Sequence, residues 1–193
     1  MLTEELRGLF SNLTTSVGKT LGKMGVSANF VTFLVLVFGF IAAYFIYIDS
    51  LTLAILFIIL SGVMDGFDGA VAKANNKETK FGALFDSVTD KTTEISWYIA
   101  LGLLRPEFWA PASLAIAFFM LSSYISKHAK SVGGKSGGGI LERKERLILI
   151  ILGLAYVNYM IYALYVIAFF SLVTCLQRFY KNYKILIKIK KES

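Results

Sequence analysis

The chain has 193 residues, 56% of them hydrophobic and 15% aromatic, with a formal net charge of +7 and a mean hydropathy of +0.64. That is the size of one compact unit and too apolar for an ordinary soluble domain, so a polytopic membrane protein is expected. A lone cysteine, Cys175, and a lone histidine, His128, exclude an internal disulfide and a Cys/His zinc cluster, so any metal here has to be held by oxygen.

Residues 1–25 are too polar, and precede the first apolar run by too much, to be a signal peptide. Leu2, Leu6, Phe10, Leu13, Val17 and Leu21 recur at three- and four-residue spacing and form one helical stripe. The stripe suits an amphipathic helix lying in the membrane interface, with Arg7, Lys19 and Lys23 toward headgroups, or a soluble helix packed on the body. Six apolar stretches follow, at 29–48, 52–74, 82–104, 108–130, 145–157 and 159–180, against the ~20 residues that a bilayer core requires. The last two form one run that needs a turn near Val157, Asn158 and Tyr159, so five spans are the alternative to six. Residues 181–193 make a lysine-rich tail that either continues as an interfacial helix or frays.

Basic residues cluster before the first span (Arg7, Lys19, Lys23), between the second and third (Lys73, Lys77, Lys80), between the fourth and fifth (from Lys127 to Arg146) and after the sixth (from Arg178 onward). Lys and Arg are retained on the cytoplasmic side. Six spans with both termini cytoplasmic satisfy all four clusters, whereas five would leave the tail on the wrong face. The expected fold is therefore an all-α membrane protein of six transmembrane helices over 29–180, preceded by the N-terminal interfacial helix and followed by the cytoplasmic tail. The positive charge then reflects topology and a face suited to anionic lipid or phosphate. Nucleic acid is not an expected partner, since no soluble domain is present to bind it.

Four aspartates interrupt this pattern. Asp65 and Asp68 stand at i and i+3, Asp86 and Asp90 at i and i+4, so each pair shares a helix face. Each pair falls at the cytoplasmic end of its span, and the short connection turns the helices antiparallel, which lets four carboxylates converge. A charge at membrane depth costs ~2.5–3.5 kcal/mol even on the lenient insertion scale, and four together require cations. Carboxylates without soft ligands suit Mg²⁺ or Mn²⁺, and four can bridge two ions, an arrangement fitted to a diphosphate and its leaving phosphate. Gly66, Gly69 and Gly82 give close access, and Lys73 and Thr79 offer a cation and a hydroxyl. The competing reading is a small-residue packing face whose acids pair with Lys73, Lys80 and Lys91.

From Asp65 to Asp90, "DGFDGAVAK" followed by "FGALFDSVTD" resembles the CDP-alcohol phosphotransferase signature D-x-x-D-G-x-x-A-R-(x)8-G-x-x-x-D-x-x-x-D, departing from it only at Lys73, where Arg is usual. The resemblance implies a membrane-embedded enzyme that displaces CMP from a CDP-linked lipid with an alcohol, using two divalent cations. It places Asp65 and Asp86 on both metals, Asp68 on the first and Asp90 on the second, with Asp90 also as general base. Gly69, Lys73 and Thr79, with Asp65, fall where the family contacts the CDP diphosphate. "SANFVT" stands in for the nucleotide-holding turn, which makes Asn29, Phe30, Val31 and Thr32 further CDP-lipid candidates. Lys73 keeps the charge of Arg but not its bidentate fork.

For the acceptor, Arg143 and Arg146 lie one helical turn apart and Arg178 lies at the end of the last span. Guanidinium groups match phosphate oxygens, although positive-inside anchors would look the same. "SYI", "GGGILERKERLI" and "VTCLQR" resemble the phosphatidylinositol-phosphate and archaetidylinositol-phosphate synthase branch, which implies inositol 1-phosphate as acceptor, held by Arg143, Arg146 and Arg178, and a homodimer in the cell membrane with its site on the cytoplasmic side. The branch continues "SYI" with Lys-Ala-Arg, whereas this chain has Ser126, Lys127 and His128. That departure makes glycerol 3-phosphate the alternative acceptor. "SVGGKSGGGI" reads as a flexible segment that either orders over the acceptor or simply connects. A rival of another class is a cation channel or transporter; it predicts acids along a through-route, while these lie toward one face.

Overall fold

The computed structural model describes residues 16–18, 20, 24–74 and 79–192, leaving aside the side chains of Asp68, Lys73, Ala74 and residues 189–192. The main helices are α1 (Ala28–Tyr47), α2 (Leu51–Ala74), α3 (Lys80–Leu104), α4 (Trp109–Ser131), α5 (Arg143–Ala155) and α6 (Met160–Glu192), with 3₁₀ turns at Pro106–Phe108 and Val157–Tyr159. No strand occurs among the described residues. Most of the expected interfacial helix over 1–25 lies outside the described residues; 16–18 and 20 are helical.

Among the described residues, four stretches are long and apolar enough to cross a membrane: Ala28–Tyr47, Leu51–Ala72, Pro106–Ser131 and Val157–Lys188. The other two expected spans are helical but do not meet that measure, for different reasons. α3 carries Asp86, Asp90, Lys91 and Glu94 along its middle, and α5 has only 13 residues. The tail is not a separate element, because α6 runs unbroken for 33 residues. Nothing between Met160 and Glu192 is a glycine or proline that would stop it.

The helix ends follow local chemistry. Ser27, in extended conformation, caps α1 by accepting from the Phe30 N–H at 3.2 Å. Asp49 adopts a left-handed φ of 59°, and its N–H and that of Ser50 return to the Ile46 and Phe45 carbonyls, reversing the chain into α2. Thr79 Oγ1 accepts from the Gly82 N–H at 2.9 Å and starts α3. Glu142 and Glu145 form a reciprocal capping box at the start of α5, which is why that helix begins at Arg143, two residues before the expected boundary.

The chain packs as two units, residues 1–97 and 98–193. In the first, α1 and α2 pack together, and Val31, Val35, Ala42 and Ile46 of α1 and Ala54, Ile58 and Val71 of α2 are buried. Ser61 Oγ donates to the Val35 carbonyl at 3.1 Å. α3 joins α1 at Gly39, whose missing Cβ would collide with Cγ2 of Thr93, and Trp97 Nε1 donates to the Gly39 carbonyl at 2.9 Å. A tryptophan buried in an apolar bundle needs such a partner for its indole N–H. In the second unit, Phe119, Ala112 and Ala115 of α4 share the buried core with Ile150 and Leu154 of α5 and Leu164 and Ile167 of α6.

Candidate active site

α2 and α3 bring Asp65, Asp86 and Asp90 together, with one carboxylate oxygen from each lying within 4.8 Å of the others. All three are half-buried. The side chain of the fourth aspartate, Asp68, lies outside the described set, as does that of Lys73. One turn beyond Asp90 on the same face, Glu94 is 2% exposed, a residue that the sequence reading passed over although Asp86, Asp90 and Glu94 recur every four positions. Thr93 Oγ1 donates to the carbonyls of Thr89 and Asp90, both at 3.1 Å, which anchors it within the helix turn that presents Asp90.

The donor set fits a hard divalent cation. Three carboxylates converge within one ion's reach, and neither Cys175 nor His128 belongs to the cluster. Space beside it is also provided. A Cβ built on Gly69 would meet no atom within 4 Å, so that edge of α2 is open. A Cβ on Gly82 would instead lie 3.1 Å from Thr79 Oγ1 and 3.2 Å from Asn29 Oδ1. Gly82 therefore lets the start of α1 approach the start of α3, which places Asn29 beside Thr79.

The four residues of the expected nucleotide turn divide. Asn29 and Phe30 are exposed, whereas Val31 and Thr32 are 2% and 3% exposed. Thr32 Oγ1 donates to the Ala28 carbonyl at 3.1 Å. The side chains of Val31 and Thr32 are thus part of the core, and Asn29 and Phe30 are the ones presented outward. Thr79 accepts through its oxygen, and that bond leaves its O–H donor unspent.

In the second unit, Arg146 is 5% exposed with its guanidinium carbon 4.7 Å from the Phe119 ring centroid, a cation–π contact. Arg143 occupies the first position of α5. Arg178 Nε donates to the Gly138 carbonyl at 2.8 Å, Nη1 donates to the Ser122 carbonyl at 3.2 Å, and Nη2 lies 3.6 Å from Glu142 Oε1. Ser126 accepts from the Gly137 N–H at 2.7 Å. The glycine-rich segment is therefore tied down, where a flexible one was expected. His128 stacks on Tyr124, with ring centroids 5.7 Å apart.

Residues 25–177 match the CDP-alcohol phosphatidyltransferase family. The archaetidylinositol phosphate synthase of Pyrococcus horikoshii is 30% identical over 87% of this chain and 89% of its own. The fold is similar to that of the phosphatidylinositol phosphate synthase of Mycobacterium tuberculosis with CDP-DAG bound. The TM-score is 0.81, at 23% identity over 89% of this chain and 94% of that one. The same enzyme in complex with manganese and citrate gives a TM-score of 0.79, at 23% identity and 88% coverage of both chains.

Proposed function

The chain belongs to the CDP-alcohol phosphatidyltransferase family, and on that premise we propose that it transfers a phosphatidyl-type group, carried on diacylglycerol or archaeol, from a CDP-linked lipid to inositol 1-phosphate with release of CMP. The observation that carries this reading is the convergence of Asp65, Asp86 and Asp90 on one point, at the spacing of the family signature. The acceptor follows the relatives, which are named as inositol phosphate lipid synthases.

Asp65, Asp68, Asp86 and Asp90 would hold two Mg²⁺ or Mn²⁺ ions, in keeping with the manganese complex of the similar fold. Such ions, when bound, neutralise diphosphate charge and stabilise the departing phosphate. Asn29, Phe30, Asp65, Gly69, Lys73 and Thr79 are assigned to the donor's nucleotide and diphosphate by the resemblance, with Gly69 supplying an open edge. Val31 and Thr32 serve that end of the site by packing, which holds the first turn of α1 in place. Asp90 accepts the proton of the attacking hydroxyl, whose oxygen bonds to the lipid-side phosphorus as the bond from that phosphorus to the CMP oxygen breaks. Arg143, Arg146 and Arg178 bind the acceptor's phosphate.

All six main helices cross the bilayer in this reading. α3, at 25 residues, is about 37 Å long and spans a core of ~30 Å. α5 is shorter and is completed by the turn at Val157–Tyr159. The four basic clusters then share the cytoplasmic side of the cell membrane with both termini and the aspartates. A homodimer, as the resemblance implies, is the expected assembly.

The test is metal-dependent CMP release from a CDP-lipid in detergent, comparing inositol 1-phosphate, glycerol 3-phosphate, free inositol and serine. Inositol 1-phosphate should be preferred. Preference for glycerol 3-phosphate would shift the acceptor in the direction of the Ser126 and His128 departure, and activity with serine alone would refute the arginine site. Asp90→Asn should abolish release; retention of full activity would remove the assigned base.

A further inference from the structure

Between α4 and α5 the chain carries five glycines, and Gly133, Gly137, Gly138 and Gly139 have φ of 89°, 78°, 79° and 151°. Such a segment loses more conformational freedom on ordering than any other composition. Here it is tied at short intervals. The Lys135 N–H donates to Asn182 Oδ1 at 2.8 Å, the Gly137 N–H to Ser126 Oγ at 2.7 Å and the Leu141 N–H to Thr174 Oγ1 at 3.0 Å. The Gly138 N–H donates to Glu142 Oε1 at 3.2 Å, and the Gly138 carbonyl accepts from Arg178.

The three uncharged anchors come from α4 and α6 and are 8%, 1% and 5% exposed for Ser126, Thr174 and Asn182. Asn182 also donates through Nδ2 to the Arg178 carbonyl at 2.9 Å, so its amide is oriented from both ends. The fit is close at the glycines. A Cβ on Gly134 would lie 2.6 Å from Asn182 Oδ1, and one on Gly139 would collide with Cγ2 of Thr174. The strap ends on Glu142, the cap of α5, and the next turn bears Arg143 and Arg146. Arg178 bonds to the same strap and keeps further N–H donors beyond those two hydrogen bonds.

We propose that Ser126, Thr174 and Asn182 are positioning residues for the acceptor: they fix the glycine strap, and through it the first turn of α5 and the guanidinium of Arg178, so that the three arginines are ordered before the acceptor phosphate arrives. This rests on the acceptor reading given above. A preorganised cluster spends less of its binding free energy on ordering side chains, so loosening the strap weakens acceptor binding and leaves donor binding alone. It also assigns a use to Ser126, which stands where the resemblance led to a basic residue. In this chain that position holds backbone, not phosphate.

The test uses the full chain in detergent, with Thr174→Val, Asn182→Leu and Ser126→Ala, and Thr174→Ser as the conservative control. KM for inositol 1-phosphate and for the CDP-lipid is measured separately, alongside amide hydrogen exchange over 135–141. Thr174→Val and Asn182→Leu should raise the acceptor KM roughly 5- to 10-fold, the loss of one buried hydrogen bond, with the donor KM within about twofold and faster strap exchange. Thr174→Ser should restore both readouts. Faster exchange with an unchanged acceptor KM overturns the inference and leaves the proposed function standing, and so does a parallel rise in both KM values. If wild-type CMP release responds to no phosphorylated polyol, the acceptor reading itself falls and takes the inference with it.

Discussion

Replacing Asp86 by Asn separates the two demands placed on the carboxylate cluster. Ligand oxygens of Asp65, Asp86 and Asp90 lie within 4.8 Å of one another. At that spacing each ionised pair repels by about 1 kcal/mol with the screening of water and about 3.5 kcal/mol at an effective dielectric constant of ~20. The residues are half-buried, so the true value falls between these limits. Neutralising Asp86 removes two of the three pairs, about 2–7 kcal/mol of repulsion before the partners that these carboxylates have within the chain are counted, and also removes one of the proposed metal ligands. In EDTA, Asp86→Asn should therefore unfold at a higher temperature than wild type, by about 4 °C for each 1–2 kcal/mol of repulsion left uncompensated, on the usual scaling for a chain of this length. Mn²⁺ or Mg²⁺ should stabilise the wild type by mass action and the variant much less. Tryptophan fluorescence during heating in detergent, with and without metal, reads both effects. A variant less stable than wild type in EDTA, or one with the same metal-induced increment, would mean that the carboxylates are already compensated within the chain, and the cluster would then be structural.

Four further outcomes follow from particular contacts. Gly82→Ala places a methyl 3.1–3.2 Å from Thr79 Oγ1 and Asn29 Oδ1; displacing both should raise the KM for CDP-lipid several-fold with little change in acceptor KM, read from CMP release. Gly39→Ala drives a methyl into Thr93 beside the Trp97 hydrogen bond and should cost about 1–3 kcal/mol, visible as a lower unfolding temperature, while Trp97→Phe should cost ~1 kcal/mol through the lost donor. Gly139→Ala is strained at φ 151° and collides with Thr174; trypsin should then cleave at Lys135 faster than in wild type, and equal rates would show that the strap tolerates a side chain.

Much of this protein is legible along the chain. Helix positions follow from apolar runs of bilayer length, so the expected 29–48, 52–74 and 108–130 agree with α1, α2 and α4 to within a residue or so. The turn expected near Asn158 is present as Val157–Tyr159. The convergence of Asp65, Asp86 and Asp90 was readable because i, i+4 spacing commits Asp86 and Asp90 to one helix face whatever lies opposite, and the absence of soft ligands restricts the ion that such a cluster could hold. Tertiary structure decided what depends on partners distant in sequence. Trp97 meets Gly39 across 58 residues and Leu141 meets Thr174 across 33, and no local period encodes either pairing. Helix packing likewise buries Thr32 and leaves Asn29 exposed, and a segment of glycines and serines, read alone as flexible, is instead a strap held by single hydroxyl and amide groups from other helices. Periodicity tells a helix which face to bury, but the hydrogen bonds that cross between helices depend on which backbone groups that burial leaves waiting for a partner.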